Sequence, residues 1–342
     1  MKELHLHIGD KLTSIVIGSD LVSNLKTLKD RNLVLLVDEN VLRLHSSLFE
    51  EYNCIKIPSG EQHKTLTFVE SVYCELVEKE VDRTSLIVGV GGGMATDIAG
   101  YVASTYMRGI EFGFISSTLL GQVDASIGGK NGVNLDGFKN MIGTIRQASF
   151  VWCDLSLLES LEKNELISGL SEVVKYGAIR DSELMNYMEL NTEAFLSLES
   201  EAMEHIVTVS ARIKVDIVES DVFEKGERKL LNFGHTLGHA IEKLTGMLHG
   251  EAISIGMVLA ARLSVKLGKL EEKEADRLEN MLLSLGLPVQ TDLPMGDIYL
   301  TLLKDKKRAG TVMHFILLKS IGEAFIEEIQ LAKLEELLHD LY

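Results

Sequence analysis

Cysteine is scarce in this chain. Cys54, Cys74 and Cys153 are the only three in 342 residues. They are too few and too scattered for a disulfide framework or a Cys-rich zinc site, and they suit a reducing compartment. Basic charge is also in deficit, with 34 Lys and Arg against 51 Asp and Glu, a formal net charge of -17. That argues against nucleic-acid binding, where a basic face supplies most of the affinity. An anionic ligand would need a local basic cluster set against this field. No apolar run approaches the ~18 residues that a membrane helix needs. The opening MKELHLHIGDKLTSIVIG alternates like a strand pair and lacks the apolar stretch of a signal peptide. The expectation is a cytoplasmic protein with no membrane partner. Proline is rare too, and Pro58, Pro288 and Pro294 all fall in predicted connections, where a missing N–H costs least. There is no internal repeat and no low-complexity segment.

The remainder is ordinary globular composition, 46% hydrophobic and 25% charged. The length is about twice that of a typical domain, so two domains are expected, 1–155 and 156–342. In the first, ELHLHIG, TSIVIG, NLVLLVDEN, CIKIPSG, SLIVGVGGG, GFISSTLL and FVWCDLSLL read as short strands. EQHKTLTFVESVYCELVEKE reads as a helix between two of them. Such alternation predicts an α/β domain with a parallel sheet covered by helices. After about residue 155 strand-like runs nearly vanish and helical periodicity takes over, with Gly268 and Gly286 at predicted helix ends. An all-α second domain follows, with a ligand cleft expected between the two.

Three groups of residues carry chemistry. VGVGGGMATDIAG runs from a predicted strand into a helix, where backbone N–H groups attract phosphate and Gly91, Gly92 and Gly93 permit close approach. It is not the G-x-G-x-x-G fingerprint, because Asp97 stands at the last glycine. PSGEQHKT, carrying Lys64, is a second strand-to-helix turn. Asp38, closing NLVLLVD, suits a ribose hydroxyl. The second group is basic. Lys130 follows Gly128 and Gly129, Lys139 precedes Asn140, and Arg108, Lys175, Lys214 and Arg228 lie elsewhere. A lone lysine usually faces solvent, but Gly-Gly-Lys requires a chain shaped to present it. The third group is NFGHTLGHAIEKLTGMLHGEAI, with His235, His239 and His249. Neutral imidazoles and carboxylates suit zinc, and a catalytic site has three protein ligands and open positions. His235 and His239 are i, i+4 on a predicted helix and share a face. His249 reaches from the next helix start, and Glu172 sits in GLSEVVKYG. Helical spacing by itself favours the His235 and His239 pair, but His249 can also reach, so spacing does not settle which histidines are ligands.

Together SGEQHKT, GGGMATDIAG, TYMRG, TLLGQVDASIGGKNGVN, KNMIG, SEVVKYG, LLNFGHTLGHAIE and HGEAISIGM resemble the 3-dehydroquinate synthase family, in that family's order. The resemblance implies an N-terminal dinucleotide-binding α/β domain, an all-α C-terminal domain, NAD, and a divalent metal, zinc or cobalt. It puts the metal on Glu172, His235 and His249, and leaves His239 as a second active-site histidine. Substrate groups fall on Asp124, Lys130, Lys139, Asn140, Lys175, Lys214, Arg228, Asn232 and one of Lys306 or Lys307. Arg108 matches an arginine contributed across a homodimer interface. NAD contacts fall on Asp38, Ser59, Gly60, Glu61, Lys64, the Gly91–Asp97 loop, Ser117, Thr118, Lys130, Lys139, Leu157, Leu158, Glu159 and Ser160.

Two departures stand out. Ser116, Ser117 and Thr118 replace the family's frequent Pro-Thr-Thr, and Asn131 replaces the threonine of Gly-Gly-Lys-Thr. Both keep polar groups, so small effects are expected. The implied reaction turns 3-deoxy-D-arabino-heptulosonate 7-phosphate into 3-dehydroquinate and phosphate, in the shikimate pathway to aromatic amino acids. It proceeds by transient oxidation at C5, β-elimination of phosphate, re-reduction, ring opening and aldol closure. Competing readings are a glycerol dehydrogenase-type enzyme, a cyclase making an inosose or a valiolone, and a non-catalytic NAD- or metal-binding regulator. A neutral polyol needs no clamps for phosphate and carboxylate, so GGK, KN and KYG together disfavour the first. The hydride-acceptor loop beside metal ligands and anion clamps disfavours the last.

Overall fold

The computed structural model describes residues 1–306, 311–339 and 341. Eleven strands and twelve α-helices are found among them. The strands are β1 (Lys2–Ile8), β2 (Lys11–Gly18), β3 (Leu33–Asp38), β4 (Asn53–Ile57), β5 (Leu86–Gly91), β6 (Glu111–Ser116), β7 (Lys130–Leu135), β8 (Phe138–Ile145), β9 (Phe150–Asp154), β10 (Val312–Ser320) and β11 (Glu323–Gln330). The helices are α1 (Glu39–Leu44), α2 (Leu66–Glu78), α3 (Gly93–Thr105), α4 (Lys163–Ile179), α5 (Ser182–Leu190), α6 (Thr192–Leu196), α7 (Ser200–Ser220), α8 (His235–Thr245), α9 (His249–Lys266), α10 (Glu272–Ser284), α11 (Met295–Lys306) and α12 (Leu331–His339).

Two compact units result: Met1–Glu162 with Ser200–Phe223, and Lys163–Glu199 with Glu224–Tyr342. The expected break after residue 155 is therefore not the observed one, because α7 belongs to the first unit. It packs on β1 and β2. The N-terminal amine bonds Glu204 at 3.0 Å, and the His7 N–H donates to the Glu219 carboxylate at 2.6 Å.

The first unit is built on a seven-stranded sheet of order β1-β2-β9-β6-β5-β3-β4. β1 and β2 form an antiparallel hairpin and every other neighbouring pair is parallel. The runs LVLLVD and LIVGVG are buried almost throughout, as parallel strands covered on both faces require. Leu35, Val37, Val88, Val90, Ile115 and Trp152 pack into one core with Leu21 and Leu25 of the 21–28 turn. The chain leaves β3 for the edge strand β4 and returns on the other side of β3 as β5. That reversal makes a topological switch point, the place where open α/β sheets bind ligands at strand C-termini. Asp38 and the Gly91 loop sit there. A separate hairpin, β7–β8, packs against α3.

The second unit is helical except for the hairpin β10–β11, which the second-half periodicity had not suggested. Leu237, Ile241, Ile255, Leu259, Phe315, Leu317 and Leu334 lie in its core. No helix among the described residues is long and apolar enough to cross a membrane.

Candidate active site

At the switch point Asp38 caps α1, accepting from the Asn40 N–H at 2.8 Å and from the Ser59 hydroxyl at 3.1 Å. The Ser59 N–H donates to Glu39 at 2.9 Å, so the ends of β3 and β4 are tied. Helix α3 starts at Gly92 without a capping side chain. Its first-turn N–H groups thus keep the anion-attracting character that the sequence suggested. The glycine faces themselves abut Asp38 (at Gly91) and Thr118 (at Gly92). The Ser117 N–H donates to the Gly91 carbonyl at 2.9 Å. Leu157 and Leu158 are 2% and 1% exposed, so their side chains serve the core. Ser160 bonds His45 Nε2 at 2.8 Å.

Lys64 is interior. It is 3% exposed, and its ammonium donates to Asp97 Oδ2 at 2.5 Å and to Asn140 Oδ1 at 2.6 Å. Burial raises the Asp97 pKa, against the pull of Lys64. Glu61 accepts from the Asn134 amide at 2.9 Å. Gly128 and Gly129 have φ of 102° and 71°, a left-handed pair that delivers the exposed Lys130 at the head of β7. Asn131 is 4% exposed, and its amide donates to the carbonyls of Gly129 at 2.9 Å and Arg146 at 3.0 Å. Its side chain holds the turn. Lys139 is exposed on β8. Lys214, on α7, donates to Asp124 Oδ1 at 2.7 Å. Met107 and Arg108 are consecutive exposed residues with positive φ, 49° and 70°, in the turn after α3.

In the second unit Glu172, on α4, is fully buried, and two imidazoles converge on its Oε1. His235 Nε2 lies 3.5 Å away and His249 Nε2 lies 3.4 Å away. The ligand atoms of the three all lie within 4.8 Å of one another. Glu172 Oε2 accepts from Lys175, whose ammonium stands 4.8 Å from the Tyr176 ring centroid. The meeting depends on helix packing. The Gly250 N–H, in the first turn of α9, donates to the Ser168 hydroxyl of α4 at 2.9 Å. A Cβ on Gly250 would collide with the Ser168 backbone. Only a bare glycine lets α9 start so close to α4, and that start carries His249.

The outer nitrogens of both imidazoles are held. His235 Nδ1 lies 3.0 Å from the Phe233 carbonyl, which only accepts, so Nδ1 carries the proton and Nε2 offers a lone pair. Burial pushes the His235 pKa down to about 3, keeping the ring neutral. His249 Nδ1 faces Glu242 Oε2 at 3.5 Å. Burial lowers the His249 pKa, but hydrogen bonds to Glu172 and Glu242 outweigh it and bring it up to about 9. Two imidazoles oriented from behind and one carboxylate form a donor set that fits a divalent ion with open positions.

His239 is exposed, its ring centroid 5.2 Å from that of His235, as the i, i+4 spacing requires. It forms a second trio with Glu242 and His249, again within 4.8 Å. The Glu172 trio is the more enclosed. Arg228 is 2% exposed, and the Asn232 amide donates to Glu224 at 2.6 Å. Lys306 ends α11, and Lys307 lies outside the described residues. Sequence reasoning missed Ser168, Glu242 and Asn134. Only Glu242 had a readable signal, lying three residues after His239 and seven after His235 on one helix face.

Family sequence profiles described as 3-dehydroquinate synthase N-terminal and C-terminal match residues 54–168 and 169–308. The 3-dehydroquinate synthase of Thermoanaerobacter pseudethanolicus is 44% identical over 290 residues, covering 82% of this chain and 80% of that protein. That of Thermodesulfovibrio yellowstonii is 39% identical over 363 residues, covering 99% and 100%. Among solved structures, 2-epi-5-epi-valiolone synthase from Streptomyces hygroscopicus, with NAD+ and Zn2+ bound, superposes with a TM-score of 0.88 at 26% identity, covering 98% of each chain. A probable glycerol dehydrogenase from Sinorhizobium meliloti shares only the fold, with a TM-score of 0.68 at 14% identity over 96% of this chain and 95% of that one. With the two profiles together matching residues 54–308 and relatives at this identity over most of its length, the chain belongs to the 3-dehydroquinate synthase family.

Proposed function

We propose that this chain converts 3-deoxy-D-arabino-heptulosonate 7-phosphate to 3-dehydroquinate and phosphate, using NAD and a divalent metal, zinc or cobalt. The observation that carries the reading is the convergence of Glu172, His235 and His249 in a chain of this family. When bound, NAD would supply reversible hydride acceptance at substrate C5, and the metal would supply Lewis-acid polarisation of the neighbouring hydroxyls. The protein's own residues bind and orient. Asp38, Ser59, Gly60 and Glu61, at the C-terminal ends of β3 and β4, would hold the ribose of the nucleotide. The Gly91–Asp97 turn, with Ser117 and Thr118, would hold its pyrophosphate. Glu172, His235 and His249 are the metal ligands. Their geometry is kept by the Phe233 carbonyl, Glu242 and Lys175.

Lys130, Asn140 and Lys306 or Lys307 hold the substrate phosphate. Arg228 and Lys214 take the carboxylate, while Asp124, Lys139, Lys175 and Asn232 serve the polyol. Lys214 and Asp124 act as one unit, because they are already joined. Fixing both charged ends of the substrate orients C5, which is where most of the rate gain arises. The departing phosphate takes the C6 proton, and His239 relays protons beside it. The protein works in the cytoplasm as a homodimer. Exposed Leu135, Phe138, Met141 and Ile145 on the β7–β8 hairpin give a second copy an apolar face to cover, and the left-handed turn at Met107 presents Arg108.

A cyclase making a valiolone shares the fold. Relatives 39–44% identical that are named 3-dehydroquinate synthase favour the dehydroquinate product. The test is incubation with the heptulosonate phosphate, NAD+ and Zn2+ or Co2+, with product identification. Phosphate release without net NADH is expected. Steady NADH accumulation, or a different carbocycle, refutes the reading.

A further inference from the structure

Asn134, near the end of β7, has no part in the roles above. Its backbone N–H donates to the Lys64 carbonyl at 2.8 Å. Its amide nitrogen donates to Glu61 Oε1 at 2.9 Å, and its amide oxygen accepts from the Asn140 N–H at 2.8 Å. Asn140 has φ of 52°, a left-handed backbone in the middle of β8. Asparagine tolerates that region better than most residues, but something must still hold it there. Asn134 does so through the backbone, and Lys64 does so through the side chain.

The chemistry of Lys64 decides which way the Asn140 amide points. An ammonium has donors only, so the Asn140 oxygen must face Lys64, and the NH2 group faces away. Asn140 is exposed on β8, so that donor is presented outward. A phosphate oxygen accepts from an NH2 group and would be repelled by an amide oxygen. Lys64 is in turn held by Asp97 in α3. One hydrogen-bonded chain therefore runs from Glu61 and Asp97 through Asn134 and Lys64 to Asn140.

We propose that Asn134 and Lys64 are positioning residues that preset the Asn140 amide for the substrate phosphate and couple its setting to nucleotide binding. The inference rests on the proposed assignment of Glu61 and Asp97 to the nucleotide and Asn140 to phosphate. A nucleotide that orders Glu61 and α3 steadies Asn134 and Lys64, and hence Asn140. Linkage makes the effect reciprocal, so bound phosphate tightens NAD+ by the same factor.

The test measures the NAD+ dissociation constant by calorimetry without and with saturating inorganic phosphate. The wild type is expected to bind NAD+ at least fivefold more tightly with phosphate present. Asn134→Ala should bring that ratio to within twofold of one. Asn134→Asp keeps an acceptor for the Asn140 N–H but loses the donor to Glu61. It should bind phosphate within threefold of wild type, with the ratio still lost. A merely structural residue would lower both affinities and the thermal midpoint while leaving the ratio alone. Should Asn134→Ala fail to fold, Asn134→Asp by itself carries the test. A wild-type ratio in either variant, or wild-type protein that binds both ligands independently, overturns this inference alone. Wild-type protein that binds no NAD+ overturns the functional reading with it.

Discussion

Replacing His249 by alanine is expected to cost this protein its metal, whereas replacing His239 is not. His249 Nε2 stands 3.4 Å from Glu172 Oε1 and belongs to the enclosed trio. Structural four-ligand zinc sites bind with about 10–16 kcal/mol, so one ligand is worth roughly 3–4 kcal/mol, a loss of on the order of 100- to 1,000-fold in affinity. His239 is exposed and lies beside the trio, its ring centroid 5.9 Å from that of His249. Its removal should change metal affinity less than about tenfold, since it is not one of the three proposed ligands. Glu242→Gln falls between them. It keeps an oxygen toward His249 Nδ1 but loses the charge, and supporting residues of this kind typically contribute about 10- to 100-fold. The assay is metal content after dialysis against a chelator of graded strength. The expected order of loss is His249→Ala, then Glu242→Gln, then His239→Ala. If His239→Ala and Glu242→Gln both lose the ion while Glu172→Gln keeps it, the metal belongs to the exposed trio, and the assignment fails.

Four further outcomes are expected. Gly250→Ala should lower stability by about 1–3 kcal/mol through overpacking on Ser168, and should weaken metal binding in parallel, read by thermal unfolding and metal titration. A thiol reagent at pH 8 should label exposed Cys74 first, half-buried Cys54 more slowly, and Cys153 only on unfolding. Burial raises Cys153 from 9.0 to about 12, so its neutral thiol supports the fold below pH 9 and that support fades as pH climbs toward 12; Cys153→Ala should flatten this alkaline decline in denaturant titrations. Phe138→Asp with Met141→Glu should yield monomers by sedimentation, and a double variant that stays dimeric removes the β7–β8 face from the interface.

Much was legible in the sequence because it is a matter of local periodicity. Buried runs such as LVLLVD read as covered parallel strands, and the glycine loop after one of them reads as a helix start, and both are found so. Helical spacing alone placed His239 beside His235. The two hairpins were less legible. Their pairing registers shift at Val133/Leu135 and at Leu318/Ser320, and β8 carries a left-handed residue at Asn140. The membership of α7 was not legible at all, since an amphipathic helix does not reveal which neighbour its apolar face meets.

What the sequence by itself determined is the set of chemical groups, their order and their local faces: a phosphate-attracting turn, a lysine set on two glycines, three histidines in fifteen residues. Tertiary structure decided which of those groups meet. Glu172 reaches His235 and His249 only because α4 and α9 approach through Gly250 and Ser168, a contact 82 residues apart in sequence. Lys64, a surface charge by composition, became an interior strut because Asp97 and Asn140 fold against it. Periodicity records the path of one element, whereas a site depends on the distances between several, which are set by packing.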